Sequence, residues 1–225
     1  MVSIQRTNLG AQVAQRLREM ILRRDLQDGM RLLEENLAGE FAVSRGPIRD
    51  ALRQLEREGL VRVRKRGVYV VGLSPEDIRH LYDLRKSLEL LAIDEAMKRG
   101  TPQQFVQMGT FADRMREAAE RDDHNAFADA DVAFHEQLFI ISANHRLLDV
   151  WHQYMPILAT ILQSAVGQEE QLHHSAEAHR TLLNMIVSAD SRVAEEASDH
   201  IDRARDRMIQ AYERLCATET AEVVQ

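Results

Sequence analysis

The sequence predicts a mostly α protein in two parts, an N-terminal winged helix-turn-helix followed by an all-α six-helix bundle. Three observations predict it. Charge is divided unevenly along the chain: residues 1–72 hold 14 Lys/Arg and 9 Asp/Glu, residues 73–225 hold 15 and 27, so nets of +5 and −12 make up the overall −7. The basic part reads as three helical segments and then an alternating run about a basic turn. The acidic part shows helical periodicity to about residue 216, broken only briefly and with no convincing strand. The expected organisation is residues 1–72 as one domain, 73–216 as a second, all-helical domain, and 217–225 as a frayed tail.

Residues 11–24, "AQVAQRLREMILRR", place Val13, Leu17, Met20 and Ile21 at helical spacing, and "DGM" ends that helix. A short helix over about 34–41 follows. Ser44 is a suitable N-cap for a third helix, and Pro47 falls in its first turn, where a missing N–H costs little. Ile48, Leu52 and Leu55 form its buried stripe. Arg45, Arg49, Arg53 and Arg57 recur every fourth residue on another side. After Gly59, "LVRVRKRGVYV" alternates about Lys65-Arg66-Gly67, the pattern of a β-hairpin in which Gly67 allows the tight turn.

This order of elements suits duplex DNA. A third helix can enter the major groove with its N-terminal residues toward base edges, and arginine can grip guanine O6 and N7 or a phosphate. The basic wing tip would lie along the backbone or in the minor groove. An Arg stripe alone is as well explained by a solvated helix face; the cap, the helix order and the wing favour DNA.

"LLEENLAGEFAVSRGPIRDALRQLEREGLV" resembles the signature of the GntR family of bacterial transcription regulators, over about 30 consecutive positions. The resemblance implies DNA contact by Arg45 and Arg49, support from Ser44 and Gly46, and wing contact by Arg66. With the helix stripe and the wing turn, the expected DNA-binding set is Ser44, Arg45, Gly46, Arg49, Arg53, Arg66 and Gly67. Glu35 departs from the pattern, since some members carry a DNA-contacting arginine there.

In the acidic part, Ser74, Pro75 and the acids after them mark a helix start. Helices are expected over 75–98, 102–120, 123–142, 145–166, 169–188 and 191–216, with Gly100 as a stop signal. Asp131 and His135 are one turn apart and border the stripe of Phe127, Phe134, Leu138 and Ile141. His179 falls in the stripe of Leu172, Ala176, Leu183 and Ile186, and His200 in that of Val193, Ala197, Ala204 and Met208. Three helices thus each turn a histidine inward, one of them with an aspartate. Burying four such groups unpaired is costly, so they are expected either to bond one another or to share a cation. Three imidazoles and a carboxylate suit Zn, Ni, Mn or Fe equally.

Arg85 is expected on the core stripe of its helix with Leu81, Leu84, Leu88 and Ala92. It could pair with Glu89 one turn on, or clamp a carboxylate in bidentate fashion.

"DLRKSLELLAIDEA", "DVAFHEQLF", "SANHRLL" and "EAHRTLLNMIVSADSRVAEEASDHI" resemble successive blocks of the helical ligand-binding (FCD) domain of the FadR subgroup. Six helices rather than seven are similar to its VanR-type branch. The resemblance implies a divalent metal held by Asp131, His135, His179 and His200, and an effector-binding role for Arg85. The expected protein is a homodimeric regulator, a repressor, that binds a palindromic DNA operator and senses a small carboxylate effector at the metal. The metal itself as signal is the alternative.

Other functions are disfavoured. Catalysis at such a metal lacks a general base, since Glu136 is rotated about 100° from His135, so no enzyme is expected. No apolar run approaches the roughly 20 residues of a membrane span. The single cysteine, Cys216, excludes an intrachain disulfide. With no signal-peptide-like stretch in "MVSIQRTNLGAQ", a cytoplasmic location is expected.

Overall fold

The structure, a computed structural model, describes residues 9–164 and 169–222, with backbone alone at 164, 169–171, 215 and 217–222. The chain divides into two compact units, the first containing the chain up to Ser74 and the second running from Pro75 to Ala217, within α9.

The first unit contains α1 (Leu9–Leu22), β1 (Arg31–Leu32), α2 (Glu34–Glu40), α3 (Arg45–Arg57), β2 (Val61–Arg64) and β3 (Gly67–Val70). Val13, Leu17 and Ile21 of α1 and Ile48, Leu52 and Leu55 of α3 are buried, as helical spacing requires, and the two helices pack together. Each such side chain, fully removed from water, contributes about 1.5–3 kcal/mol. β2 and β3 pair antiparallel with Arg64 opposite Gly67, so Lys65 and Arg66 form a two-residue turn. Gly67 has φ +131°, a conformation that side-chain-bearing residues rarely adopt.

Two features of this unit depart from the sequence expectations. β1, only two residues long, pairs with β3 and makes a three-stranded sheet in the order β1-β3-β2. Such a short strand has no periodicity to read. Ser44 occupies the N-cap position of α3 with extended backbone, but its hydroxyl makes no capping hydrogen bond. A third feature carried no sequence signal. Arg18 is buried in α1, and its Nε and Nη2 donate to the two carboxylate oxygens of Glu58 at 2.8 and 2.7 Å.

The second unit is a bundle of α4 (Pro75–Arg99), α5 (Pro102–Glu120), α6 (His124–Ile141), α7 (His145–Ser164), α8 (Glu169–Val187) and α9 (Val193–Glu222). α5 packs on α6 and α8, and α4 on α6, α7 and α8. Thr101 and Gln104 form a reciprocal capping box at the start of α5, and the Asp123 carboxylate accepts from Ala126 N–H at the start of α6. Gly100 is demanded by close packing. A Cβ there would stand 2.4 Å from the Phe105 ring and 2.7 Å from the carbonyl oxygen of Ala96.

α9 runs on to Glu222, so the tail expected to fray from 217 is helical as far as it is described; residues 223–225 lie outside the described residues. The core face of α4 is also turned from the expected stripe. Ile78, Tyr82, Arg85, Glu89, Ala92, Ile93 and Ala96 are buried, whereas Leu84 is 43% and Leu91 45% exposed. With the half-buried Leu81 and Leu88, they form a separate apolar stripe about a quarter-turn round the helix. Among the described residues, no helix is long and apolar enough to cross a membrane.

Candidate functional site

α3 presents its arginines outward because its apolar residues take the opposite side. Ser44, Arg45, Gly46, Arg49 and Arg53 are all exposed, as is Arg66 at the hairpin turn. Nothing within the unit requires glycine at 46, since a Cβ there would meet only the Ser44 hydroxyl at 3.9 Å. Acids hold the arginines in place: Arg49 Nε donates to Glu34 at 2.8 Å, Arg45 lies 3.3 Å from Glu35, and Arg53 lies 3.8 Å from Asp50. These are solvent-exposed pairs, which polyanion contacts can replace at little cost. Glu35, the departure noted in the sequence, is therefore positioned against Arg45.

In the second unit, Asp131 and His135 from α6, His179 from α8 and His200 from α9 meet at one place. One ring nitrogen from each histidine lies within 4.8 Å of the others. His179 Nε2 is 3.0 Å from Asp131 Oδ1 and 3.1 Å from His135 Nε2, and His135 Nε2 is 4.0 Å from Asp131 Oδ2. All four residues are buried, His135 completely. Phe134 stands edge-on to the rings of both His135 and His179, fixing their planes.

The tautomers follow from the partners. His179 Nδ1–H donates to the carbonyl of Ser175 at 2.7 Å, and His135 Nδ1–H donates to Glu89 at 2.8 Å. Both acceptors are oxygens without a proton, so each Nδ1 is turned away from the cluster and each Nε2 into it, the two Nε2 atoms lying 3.1 Å apart. Burial pushes the pKa of His135 down and that of His200 well down, which keeps these rings neutral. Burial alone would raise the Asp131 carboxyl, but its bond to His179 and the charges around it hold it far below the usual range. Three imidazoles and one carboxylate, with His179 Nε2 3.0 Å from Asp131, His135 Nε2 4.0 Å from it and the three ring nitrogens within 4.8 Å of one another, are a donor set that fits a divalent ion with bonds of about 2.0–2.2 Å. Both Nδ1 hydrogen bonds are the outer contacts that fix ligand histidines in such sites.

Sequence reasoning missed what stands behind these residues. Glu89, fully buried, accepts from Arg85 Nε at 2.6 Å through one oxygen and from His135 through the other. It had been considered only as the ion-pair partner of Arg85. Burial favours its neutral form, but Arg85 and His135 outweigh this and hold its pKa at about 2. The i, i+4 spacing of Arg85 and Glu89 was readable; the reach of Glu89 to another helix was not.

Arg85 is bonded to Glu89, and it also lines a cleft of about 750 Å³, including its open mouth, with Asp131, His179, His200, Tyr82 and Arg207. The lining thus combines imidazole and carboxylate groups with guanidinium groups.

A winged helix with an outward arginine row, followed by a helical bundle, is the architecture of a DNA-binding transcription regulator. The particular family is given by comparison. Residues 9–71 match the family described as bacterial regulatory proteins, gntR family, and residues 80–204 match the FCD domain. The chain belongs to the GntR family of transcription regulators, with an FCD domain following its DNA-binding domain.

It is 30% identical over 160 residues to the gluconate operon transcriptional repressor of Bacillus licheniformis; that match covers 71% of this chain and 65% of the relative. It is 29% identical over 196 residues to a probable D-xylose utilization operon transcriptional repressor of Paenarthrobacter nicotinovorans, covering 87% and 86%. Among solved structures, E. coli McbR/YncC superposes with a TM-score of 0.67 at 22% identity, covering 97% of this chain and all of that one. A putative GntR regulator from Rhodococcus sp. RHA1 gives 0.65 at 19%, covering 90% and 98%. These two likenesses are in fold.

Proposed function

We propose that this regulator is a repressor that binds a palindromic operator as a homodimer and releases it on sensing a small organic acid. Asp131, His135, His179 and His200 would hold a divalent metal ion, with Zn, Ni, Mn and Fe equally compatible. When bound, the ion supplies a Lewis-acidic docking point for a carboxylate or hydroxyl oxygen. Arg85 lines the same cleft and would meet another oxygen of the acid, its charge already held in place by Glu89. The observation that carries the reading is the pair of Nε2 atoms 3.1 Å apart, beside a carboxylate and open to a cleft lined by a guanidinium.

On the DNA side, Arg45, Arg49 and Arg53 would exchange their acidic partners for phosphate and base edges, Ser44 and Gly46 allowing close approach, with Arg66 and Gly67 at the wing. The uncapped Ser44 hydroxyl and the sterically unneeded glycine at 46 support this assignment. The twofold arrangement is supported by the exposed apolar stripe of α4 about Leu84 and Leu91, a surface suited to burial against a second copy. The relatives named as operon repressors support repression. Glu89 is bonded on both oxygens and so is not free to act as a general base beside the cluster, which supports a site that holds its ligand.

An effector alters operator affinity only by as much as its affinities for the two operator-binding states differ. DNA selected from a random pool on the purified protein provides the probe, and fluorescence anisotropy reads its release. Release by organic acid only when metal is present is expected. Release by metal alone would make the metal the signal, and no response to either would overturn the sensing reading. His179→Ala is expected to lose bound metal by elemental analysis and to blunt the response. Full metal content in that variant would refute its ligand role.

A further inference from the structure

The small sheet of the first unit carries a basic surface beyond the wing turn. In an antiparallel sheet, residues paired across strands share a face, and so do alternate residues along one strand. The register sets Arg31 of β1 and Arg62 of β2 on either side of Tyr69 of β3, and Arg64 opposite Gly67. Arg31, Arg62, Arg64, Gly67 and Tyr69 therefore share one face. Leu32, Val61 and Val70 lie on the other and are buried, so the arginine face looks outward.

The arginines of this face are exposed, yet Arg31 is not simply splayed into solvent. A Cβ on Gly67 would stand 3.0 Å from Arg31 Nε and 3.5 Å from its Nη2, so this guanidinium lies across the residue that closes the turn of Lys65 and Arg66. Gly67 thus has a second use besides its φ of +131°: the missing side chain leaves room for a cation from β1.

The face also differs in charge from α3. Arg45, Arg49 and Arg53 each have an acidic partner. Among the described residues, no carboxylate forms an ion pair with Arg31, Arg62, Arg64, Lys65 or Arg66. Two strand spacings of about 4.8 Å place Arg31 and Arg62 about 10 Å apart at the backbone. Cations gathered this closely repel one another until an anion joins them.

The side chains select the anion. Guanidinium groups donate in a planar fork that matches phosphate oxygens. Unpaired bases would need an open aromatic ring on which to stack. Tyr69 is half-buried, and Arg64 Cζ already lies over its ring, 5.4 Å from the centroid. A row of phosphates, as duplex DNA presents beside its grooves, matches this face better than a single strand does.

We propose that the outer face of the wing sheet is a phosphate-binding surface for duplex DNA, on which Arg31 and Arg62, with Arg64, grip the backbone beside the half-site that α3 reads. This rests on the proposed placement of DNA on α3 and the wing turn, and adds residues of β1 and β2 that take no part in that placement.

Fluorescence anisotropy of the full chain across about 50–300 mM KCl tests it. The probes are a duplex selected on the protein, a random-sequence duplex of the same length, and one strand of the selected duplex. Each phosphate contact contributes about 0.9 to the steepness of log affinity against log salt. Arg31→Gln and Arg62→Gln are each expected to reduce that steepness by about 0.9. At about 0.1 M salt each should weaken both duplexes alike by about 5- to 10-fold, preserving the preference for the selected one. Arg31→Lys keeps the charge and should keep the steepness, whereas Arg49→Ala should reduce the preference itself. Wild-type salt dependence in Arg31→Gln and Arg62→Gln, with the preference lost in Arg49→Ala, would overturn this inference alone. A loss confined to the selected duplex would overturn the phosphate assignment, and one equally large for the single strand would overturn the duplex assignment. Binding of the selected duplex unchanged in all of these variants would overturn the inference together with the placement of DNA on α3.

Discussion

The contact most open to a quantitative test is the buried Glu89 carboxylate, because two elements depend on it at once. Glu89→Gln keeps the volume and removes the charge. The carboxylate accepts Arg85 Nε–H on one oxygen and His135 Nδ1–H on the other, at 2.6 and 2.8 Å. An amide has one accepting oxygen, and its other arm carries two donors. Whichever way the amide turns, one of Arg85 and His135 then meets a donor instead of an acceptor.

The magnitude has two parts. Arg85 is only 6% exposed, so solvent cannot screen its uncompensated charge. Breaking a buried ion pair from one side costs about 3–5 kcal/mol. At about 2–4 °C per kcal/mol for a protein of this size, the bundle's melting point should fall by about 6–20 °C. Loss of the outer hydrogen bond to a ligand histidine should weaken metal binding by about 10- to 100-fold. Differential scanning calorimetry reads the first effect in metal-free protein, which separates it from stabilisation by bound metal. Competitive titration against a chromophoric chelator reads the second. A metal-free variant melting within 2 °C of wild type, with undiminished metal affinity, would refute the assignment of Glu89 as the support of both groups.

Three further outcomes are expected. Arg49→Ala should weaken specific operator binding by about 5- to 150-fold, the cost of one bidentate base contact of about 1–3 kcal/mol, with metal content unaltered; undiminished operator affinity in a gel-shift titration would remove Arg49 from the interface. Arg18→Ala leaves the Glu58 carboxylate, 1% exposed, without its guanidinium, and should cost the first unit about 3–5 kcal/mol in urea unfolding of the full chain followed by hydrogen exchange. Replacing both partners with apolar residues, Arg18→Met with Glu58→Leu, should recover most of that loss, and a double variant as unstable as the single would contradict the desolvation argument. Gly100→Ala forces a methyl group against Phe105 and the carbonyl of Ala96, and overpacking of this kind should cost about 1–3 kcal/mol in thermal melting. Melting unchanged from wild type would show that the α4–α5 connection yields without strain.

Much of the architecture was legible because it depends on local periodicity. The apolar positions of α1 and α3 are buried as spaced, and the hairpin turns where Lys65, Arg66 and Gly67 placed it. Asp131, His135, His179 and His200 could each be assigned to an inward face from its own helix alone. The misreadings share a cause. On α4 the expected core stripe joins Leu81, Leu84, Leu88 and Ala92 to Arg85, yet Leu84 is exposed while Arg85, Ala92 and Glu89 are buried. Hydrophobicity marks which faces avoid water, and a helix with two such faces does not reveal which of them meets its own bundle.

The sequence by itself thus determined the elements, their order, the division into a basic and an acidic unit, and the residue types able to bind a metal. Only the tertiary structure decided which side chains share a hydrogen bond. It placed Glu89 of α4 against His135 of α6 and bonded Arg18 to Glu58 forty residues on. Periodicity is a property of one helix, fixed by 3.6 residues per turn, whereas an atom's partner across a bundle depends on how helices cross and how deeply each side chain is buried.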